Sequence, residues 1–217
     1  MLIAPGQRLI NSHKPTTDFG TVGGPVRNAA GNLVMLTCYH CVFMDKMKWD
    51  EFTPNPIYAG VSVAQNGVFN EAAAVERCFR DGDVDAAMIH AQPGNTIDPS
   101  IPIFGKTNGL IALSDDDRGT WLRKYGATTQ DTYGQFLGFT PMLGFRYETE
   151  TSIHYLHNLI RIGTPTGKPF SEKGDSGAFV LNAANQVAGI IVMGDGTYSY
   201  AIQATLLESR LTLQFQI

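Results

Sequence analysis

Three residue types that together perform acyl transfer occur in this chain in local settings suited to it. Residues 174–177 read Gly-Asp-Ser-Gly, inside Pro169-Phe170-Ser171-Glu172-Lys173-Gly174-Asp175-Ser176-Gly177-Ala178. A serine hydroxyl is a poor nucleophile at neutral pH unless a neighbouring base activates it. Glycines on both sides of Ser176 allow a tight backbone path that can aim the N–H groups of Gly174 and Ser176 at one point, where a developing oxyanion would sit. The candidate base is His40, in Leu36-Thr37-Cys38-Tyr39-His40-Cys41-Val42, just past the short apolar strand Leu33–Thr37 and expected on a loop. The candidate carboxylate is Asp85, the last acid of Asp81-Gly82-Asp83-Val84-Asp85 before an apolar strand. Taken singly, each is more readily a structural histidine, a turn cap or a turn serine. The ordered set histidine, aspartate, serine carries the functional reading. His13, His90, His154 and His157 lack such a setting.

The elements that must position these residues read as short strands. Thr21–Arg27, Leu33–Cys38, Ile57–Ala64, Ala72–Phe79 and Val84–His90 make a first set. Trp121–Tyr125, Tyr133–Phe139, Phe145–Thr149, Ile153–Ile162, Gly177–Leu181, Gln186–Met193 and Tyr198–Ile202 make a second. Twenty-three glycines and eleven prolines, 43% hydrophobic residues and no long amphipathic helix favour an all-β barrel or sandwich. We expect one lobe over 1–95 with His40 and Asp85, a connection over 96–119, and a second lobe over 120–217 with Ser176. The cleft between the lobes is then the site.

The chain resembles the trypsin/chymotrypsin-like serine proteases, in particular disulfide-poor bacterial members. Thr37-Cys38-Tyr39-His40-Cys41 resembles the family's histidine segment, and Asp85-Ala86-Ala87-Met88-Ile89 its aspartate strand. Ala188-Gly189-Ile190-Ile191-Val192-Met193-Gly194 resembles the strand after the nucleophile, and Lys124-Tyr125-Gly126-Ala127-Thr128-Thr129 with Gly134 a hairpin of bacterial members. The resemblance implies two antiparallel β-barrels with a short C-terminal helix near Leu206–Leu211. It implies peptide-bond hydrolysis in which Ser176 attacks, His40 shuttles the proton and Asp85 fixes the imidazole. Gly174 and Ser176 N–H groups would form the oxyanion hole, with Asp175 supporting it. Phe170 would sit at the base of the primary pocket, with Met193 and Gly194 along its wall. With no acid at that base, small or medium apolar side chains are expected rather than Lys or Arg.

Two departures stand out. Thr21-Val22-Gly23-Gly24 looks like the start of an activated zymogen but lies too close to His40, and reads as a barrel strand. Asp175 must then find a partner other than a freshly cut N-terminus. Val192 stands where many relatives carry a serine that supports the aspartate. The rival functions are a protease-fold binding module and an esterase using the same residues.

The net charge of −4 and the absence of a Lys/Arg run argue against nucleic-acid or anionic-membrane partners. No apolar stretch approaches the roughly 20 residues that span a bilayer. Met1–Arg8 lacks a basic segment followed by an apolar core, so no secretory leader is visible. Cys38, Cys41 and Cys78 have no obvious pairing and read as free thiols, which fits a cytoplasmic protein. Cys38-Tyr39-His40-Cys41 spells C-x-x-C, but a zinc site needs further ligands, so no metal and no cofactor are expected. The partner is a protein or peptide substrate, and oligomeric state is unreadable.

Overall fold

The computed structural model describes residues 1–43, 55–146, 153–165 and 167–217. The predicted strand Phe145–Thr149 falls mostly outside these residues. The elements run β1 (Leu2–Ile3), β2 (Arg8–Asn11), β3 (Gly20–Thr21), β4 (Gly24–Arg27), β5 (Leu33–Thr37) and the single-turn helix α1 (Tyr39–Val42). They continue with β6 (Gly60–Gln65), β7 (Val68–Arg80), β8 (Asp85–Ala91), β9 (Thr96–Ile97), β10 (Trp121–Gly126), β11 (Gln130–Phe145) and β12 (His154–Gly163). The last are β13 (Phe179–Leu181), β14 (Val187–Gly194), β15 (Tyr198–Gln203) and α2 (Ala204–Leu211).

The first half forms a seven-stranded sheet in the order β3-β2-β6-β7-β8-β5-β4. Its two edge strands are separated in sequence only by Val22 and Gly23, so the sheet curls until its ends meet. Gly23 lies at that junction because a Cβ there would come within 2.1 Å of the Gly177 carbonyl oxygen. The hairpin β6–β7 turns on Asn66 and Gly67, both at positive φ, the two-residue turn that matches strand twist. The second half closes fully, in the order β10-β11-β12-β15-β14-β13. All pairs within both sheets are antiparallel.

Alternation decides which side chains fill each interior. In β10 the buried positions are Leu122, Lys124 and Gly126, one face of a strand of period two. Leu122, Phe136, Ile160, Ile162, Phe170 and Ile191 belong to one core of this barrel. A larger core takes in Val34, Leu36, Val61, Val63, Met88 and Ile89 of the first sheet and extends to Phe179 and Phe215. Within the connection, Ile101, Phe104 and Leu113 are buried against the barrels, and Ile111 N–H donates to the Val187 carbonyl at 2.9 Å. Helix α2 buries Ala204, Leu207 and Leu211 and stops at Thr212, which takes a left-handed φ of 54°.

The structure differs from the sequence reading in two useful places. Strand β11 runs through the gap left between two predicted strands, because a bulge at Phe136/Gly138 absorbs the irregularity and pairing continues to Phe145. His40 sits in a helical turn instead of a loop, with Cys38 as its extended first flanking residue. No helix among the described residues is long and apolar enough to cross a membrane.

Candidate active site

Asp85 opens β8 immediately after a side-chain-built turn. The Asp81 carboxylate accepts the N–H of Asp83 at 2.7 Å and of Val84 at 2.8 Å. That turn swings the chain so that the Asp85 side chain points inward, where it is fully buried. Asp85 Oδ1 accepts the backbone N–H of His40 at 3.2 Å, and its Oδ2 lies 3.0 Å from His40 Nδ1. Two contacts to one residue fix both the position and the ring orientation of the histidine. The imidazole keeps 22% side-chain exposure while the carboxylate has none, so one end of the pair is anchored and the other faces outward. Lys14 Nζ caps the turn by donating to the His40 carbonyl at 3.1 Å.

Charge around His40 favours its protonated form. Burial works against the imidazolium, but Asp85 and then Cys41 outweigh it and hold the pKa well above the ordinary histidine value. The hydrogen bond from Cys38 brings the Cys41 thiol down to about 5 against the cost of burial, and His40 adds to this. Burial pushes the Cys38 thiol up. All three cysteines are buried free thiols.

Ser176 lies on the loop before β13, and two glycines shape that loop. Gly174 and Gly177 both have φ of +99°. A Cβ at Gly174 would also come within 2.5 Å of Phe19, and one at Gly177 within 2.5 Å of the Thr21 carbonyl oxygen. Neither the Gly174 nor the Ser176 N–H has an acceptor among the described residues, while Ser176 Oγ donates to the Val192 carbonyl at 3.3 Å. The loop is tied to the first sheet. Thr21 N–H donates to the Ser176 carbonyl at 2.8 Å and Thr21 Oγ1 to the Gly174 carbonyl at 2.7 Å. Cys41 Sγ lies 3.5 Å from the same Ser176 carbonyl, which brings the histidine turn alongside the serine loop.

Asp175 is held from inside its own barrel. Its Oδ1 accepts the N–H of Thr128 at 2.9 Å and of Thr129 at 3.2 Å. Its Oδ2 accepts Thr129 Oγ1 at 2.6 Å and Glu172 N–H at 3.0 Å, with Lys124 Nζ at 3.3 Å. Lys124 also donates to Thr129 Oγ1 at 2.5 Å and to the Gln130 carbonyl at 3.2 Å. Both charged side chains are fully buried. Burial lowers the Lys124 pKa, opposed by Asp175. The sequence reading assigned Lys124 no role. The signal was its phase in β10: a lysine on the core-facing set, between Leu122 and Gly126, needs a buried anion.

A cavity of about 540 Å³ opens beside Ser176 and is lined by Ser171, Val192, Met193 and Gly194 among others. Met193 and Gly194 lie on a wall of this cavity next to the serine. Phe170 does not line it. Its side chain is 2% exposed and packs in the barrel core, under Lys124 Nζ at 5.8 Å from the ring. The chain alternates here, so Phe170 turns inward and the next residue, Ser171, faces the cavity. Ser171 Oγ donates to Ser199 Oγ at 2.7 Å, and both serines are buried. Val192 offers only its carbonyl to the site, since its side chain has no donor. The sulfur atoms of Cys38 and Cys41 and a ring nitrogen of His40 lie within 4.8 Å of one another.

No protein-family model matches the chain. No curated protein matches it in sequence. Solved structures do match over its full length. A Nocardiopsis protease superposes with a TM-score of 0.69 at 17% identity, covering 100% of both chains. Thermobifida fusca protease A gives 0.67 at 18%, covering 100% of this chain and 99% of that one. A Cellulomonas bogoriensis chymotrypsin gives 0.66 at 16%, covering 99% and 98%. The fold is the two-barrel chymotrypsin type, and the structural neighbours are bacterial serine proteases.

Proposed function

We propose that this protein is a serine endopeptidase whose catalytic residues are Ser176, His40 and Asp85. The observation that carries the reading is the fully buried Asp85 holding both the backbone and Nδ1 of a partly exposed His40, next to a serine loop with two N–H groups that lack acceptors among the described residues. With Nδ1 engaged by Asp85, the other ring nitrogen, Nε2, is the atom that takes the Ser176 proton as Oγ attacks a peptide carbonyl. His40 returns that proton to the leaving amine, leaving an acyl-enzyme that water then cleaves. Asp85 stabilises the imidazolium formed on the way. The N–H groups of Gly174 and Ser176 receive the oxyanion, and the Lys124–Asp175 pair keeps their loop in place.

The cavity beside Ser176 indicates the side chain accepted before the scissile bond. Gly194 and Ser171 stand side by side in its lining, a Cβ on Gly194 coming within 3.5 Å of Ser171 Oγ. Its lining includes Ser171, whose hydroxyl is bonded to Ser199 behind it, and the exposed Glu172 and Lys173; no buried carboxylate lines it among the described residues to receive Lys or Arg. Small side chains fit this space, and the substrate is a protein or peptide. The three free thiols support a reducing, cytoplasmic setting.

A fluorophosphonate probe tests the reading. The intact chain should label at Ser176, Ser176→Ala should not label, and a peptide-library digest should show cleavage after small residues. Labelling together with ester but not peptide hydrolysis would make the protein an esterase. Absence of labelling in the folded protein would make it a binding module.

A further inference from the structure

Cys38 and Cys41 are buried in the core beside His40, and neither takes part in the acyl-transfer steps. Cys38 is the flanking residue of α1 and Cys41 lies in its first turn, with Cys41 N–H donating to the Cys38 carbonyl at 3.3 Å. A single turn of this kind holds the two α-carbons within about 7 Å, inside the span a disulfide can bridge. The two sulfur atoms are already within 4.8 Å of each other. His40 lies between them in sequence, so any bond joining the sulfurs closes a small ring around the histidine.

We infer that Cys38 and Cys41 form a reversible disulfide that switches the site off by displacing His40. The effect on activity rests on the peptidase reading; the disulfide itself does not. The oxidant is a hydroperoxide. The sulfur of Cys41, a residue that keeps 4% exposure beside the partly exposed His40, attacks the peroxide O–O bond. This gives a sulfenic acid on Cys41 and one molecule of water or alcohol. The Cys38 sulfur then attacks the Cys41 sulfur, the S–O bond breaks, and a second water leaves with the Cys38 proton. Two thiols lose two electrons in all, and one peroxide gains them. Cys41 is suited to the first step because its thiolate is stabilised by Cys38 and His40, and Cys38 to the second because it is adjacent and otherwise inert.

The structural consequence reaches across the cleft. In the reduced pair, Cys38 Sγ donates to the Ile191 carbonyl at 3.1 Å and Cys41 Sγ lies 3.5 Å from the Ser176 carbonyl. Both carbonyls belong to the second barrel, and a disulfide has no S–H to offer the first. Each carbonyl keeps a backbone donor, Gly177 N–H at 2.7 Å and Thr21 N–H at 2.8 Å. Oxidation should therefore shift the histidine turn without unfolding the protein. A displacement of about 1 Å at a catalytic group costs about a hundredfold in rate.

The test treats the full chain with hydrogen peroxide and follows both mass and turnover. The peptide carrying Cys38 and Cys41 should lose two hydrogens under non-reducing conditions. Turnover should fall about a hundredfold, and dithiothreitol should restore both. Ser176→Ala should form the same disulfide although it cannot turn over, which separates this proposal from the peptidase reading. Cys41→Ser should show no such mass change and no dithiothreitol-reversible loss. Should Cys41→Ser fail to fold, the mass change in the unsubstituted chain still decides the matter. Thiols that survive peroxide intact, a Cys41 carried only to sulfinic acid, or a disulfide that leaves turnover unchanged would each overturn the proposal.

Discussion

The site rests on two pairings of opposite charge that are built to different ends. In the first sheet, His40 and Asp85 lie 3.0 Å apart with the histidine partly open. In the second, Lys124 and Asp175 lie 3.3 Å apart with both side chains fully buried. Asp85 grips one partner, which on the proposed reading must gain and lose a proton. Asp175 is satisfied from five directions by groups that have no reason to move. On the proposed reading, solvent exposure at one end lets the first pair work as an acid–base couple, whereas complete burial with full hydrogen bonding makes the second a fixed strut.

The contrast is broken most severely at the working pair. Asp85→Asn leaves the geometry but removes the tautomer lock and the charge, and should lower kcat by about 10⁴ with the fold intact by circular dichroism. At the strut, Lys124→Met strands a buried carboxylate, which costs about 3–5 kcal/mol of stability by denaturant titration. It should also abolish fluorophosphonate labelling. Adding Asp175→Asn to Lys124→Met should recover much of the stability, because no buried charge remains unpaired. If the double variant also recovered labelling, the strut would not be what orders the serine loop.

Smaller effects sharpen the distinction. Thr21→Val keeps the shape of the tie between the sheets but removes its hydroxyl from Gly174 and from Ala127. The expected cost is about 1–3 kcal/mol, with kcat falling more than KM rises. The smallest effect is a shift in pH dependence. His40 must be neutral to accept a proton, so its raised pKa moves the acid limb of kcat/KM to higher pH. Cys41→Ala removes one of the influences that raise it, and the limb should move back toward lower pH with little change in the plateau. Lys124→Arg, by contrast, should leave the acid limb where it is.

Particular residues show what could be read without coordinates. His40, Asp85 and Ser176 stand out because each combines a reactive type with a turn or strand end, and such settings are local in sequence. The barrels are legible for the same reason, since alternation and glycine-marked turns are short-range signals. Phe170 and Lys124 are different. Which way a residue faces just before a glycine turn, or which anion a core-facing lysine meets, depends on chain segments tens of residues away. Ser171 and Ser199 are invisible in sequence because neither hydroxyl means anything until a hydrogen bond joins the strand of one to the loop of the other. Cys38 and Cys41 could be seen as a motif, but their contact with Ile191 and Ser176 could not.

Thr21 has a consequence for how the protein is made. Its hydroxyl meets the Gly174 carbonyl, 153 residues further along the chain. During synthesis, the segment carrying His40 therefore leaves the ribosome long before the one carrying Ser176. The glycine-flanked turn finds its binding partner on the earliest strands, already waiting. On the proposed reading, the capacity to react arrives only once Ser176 has been made, so a product stalled before it would carry His40 and Asp85 without the nucleophile.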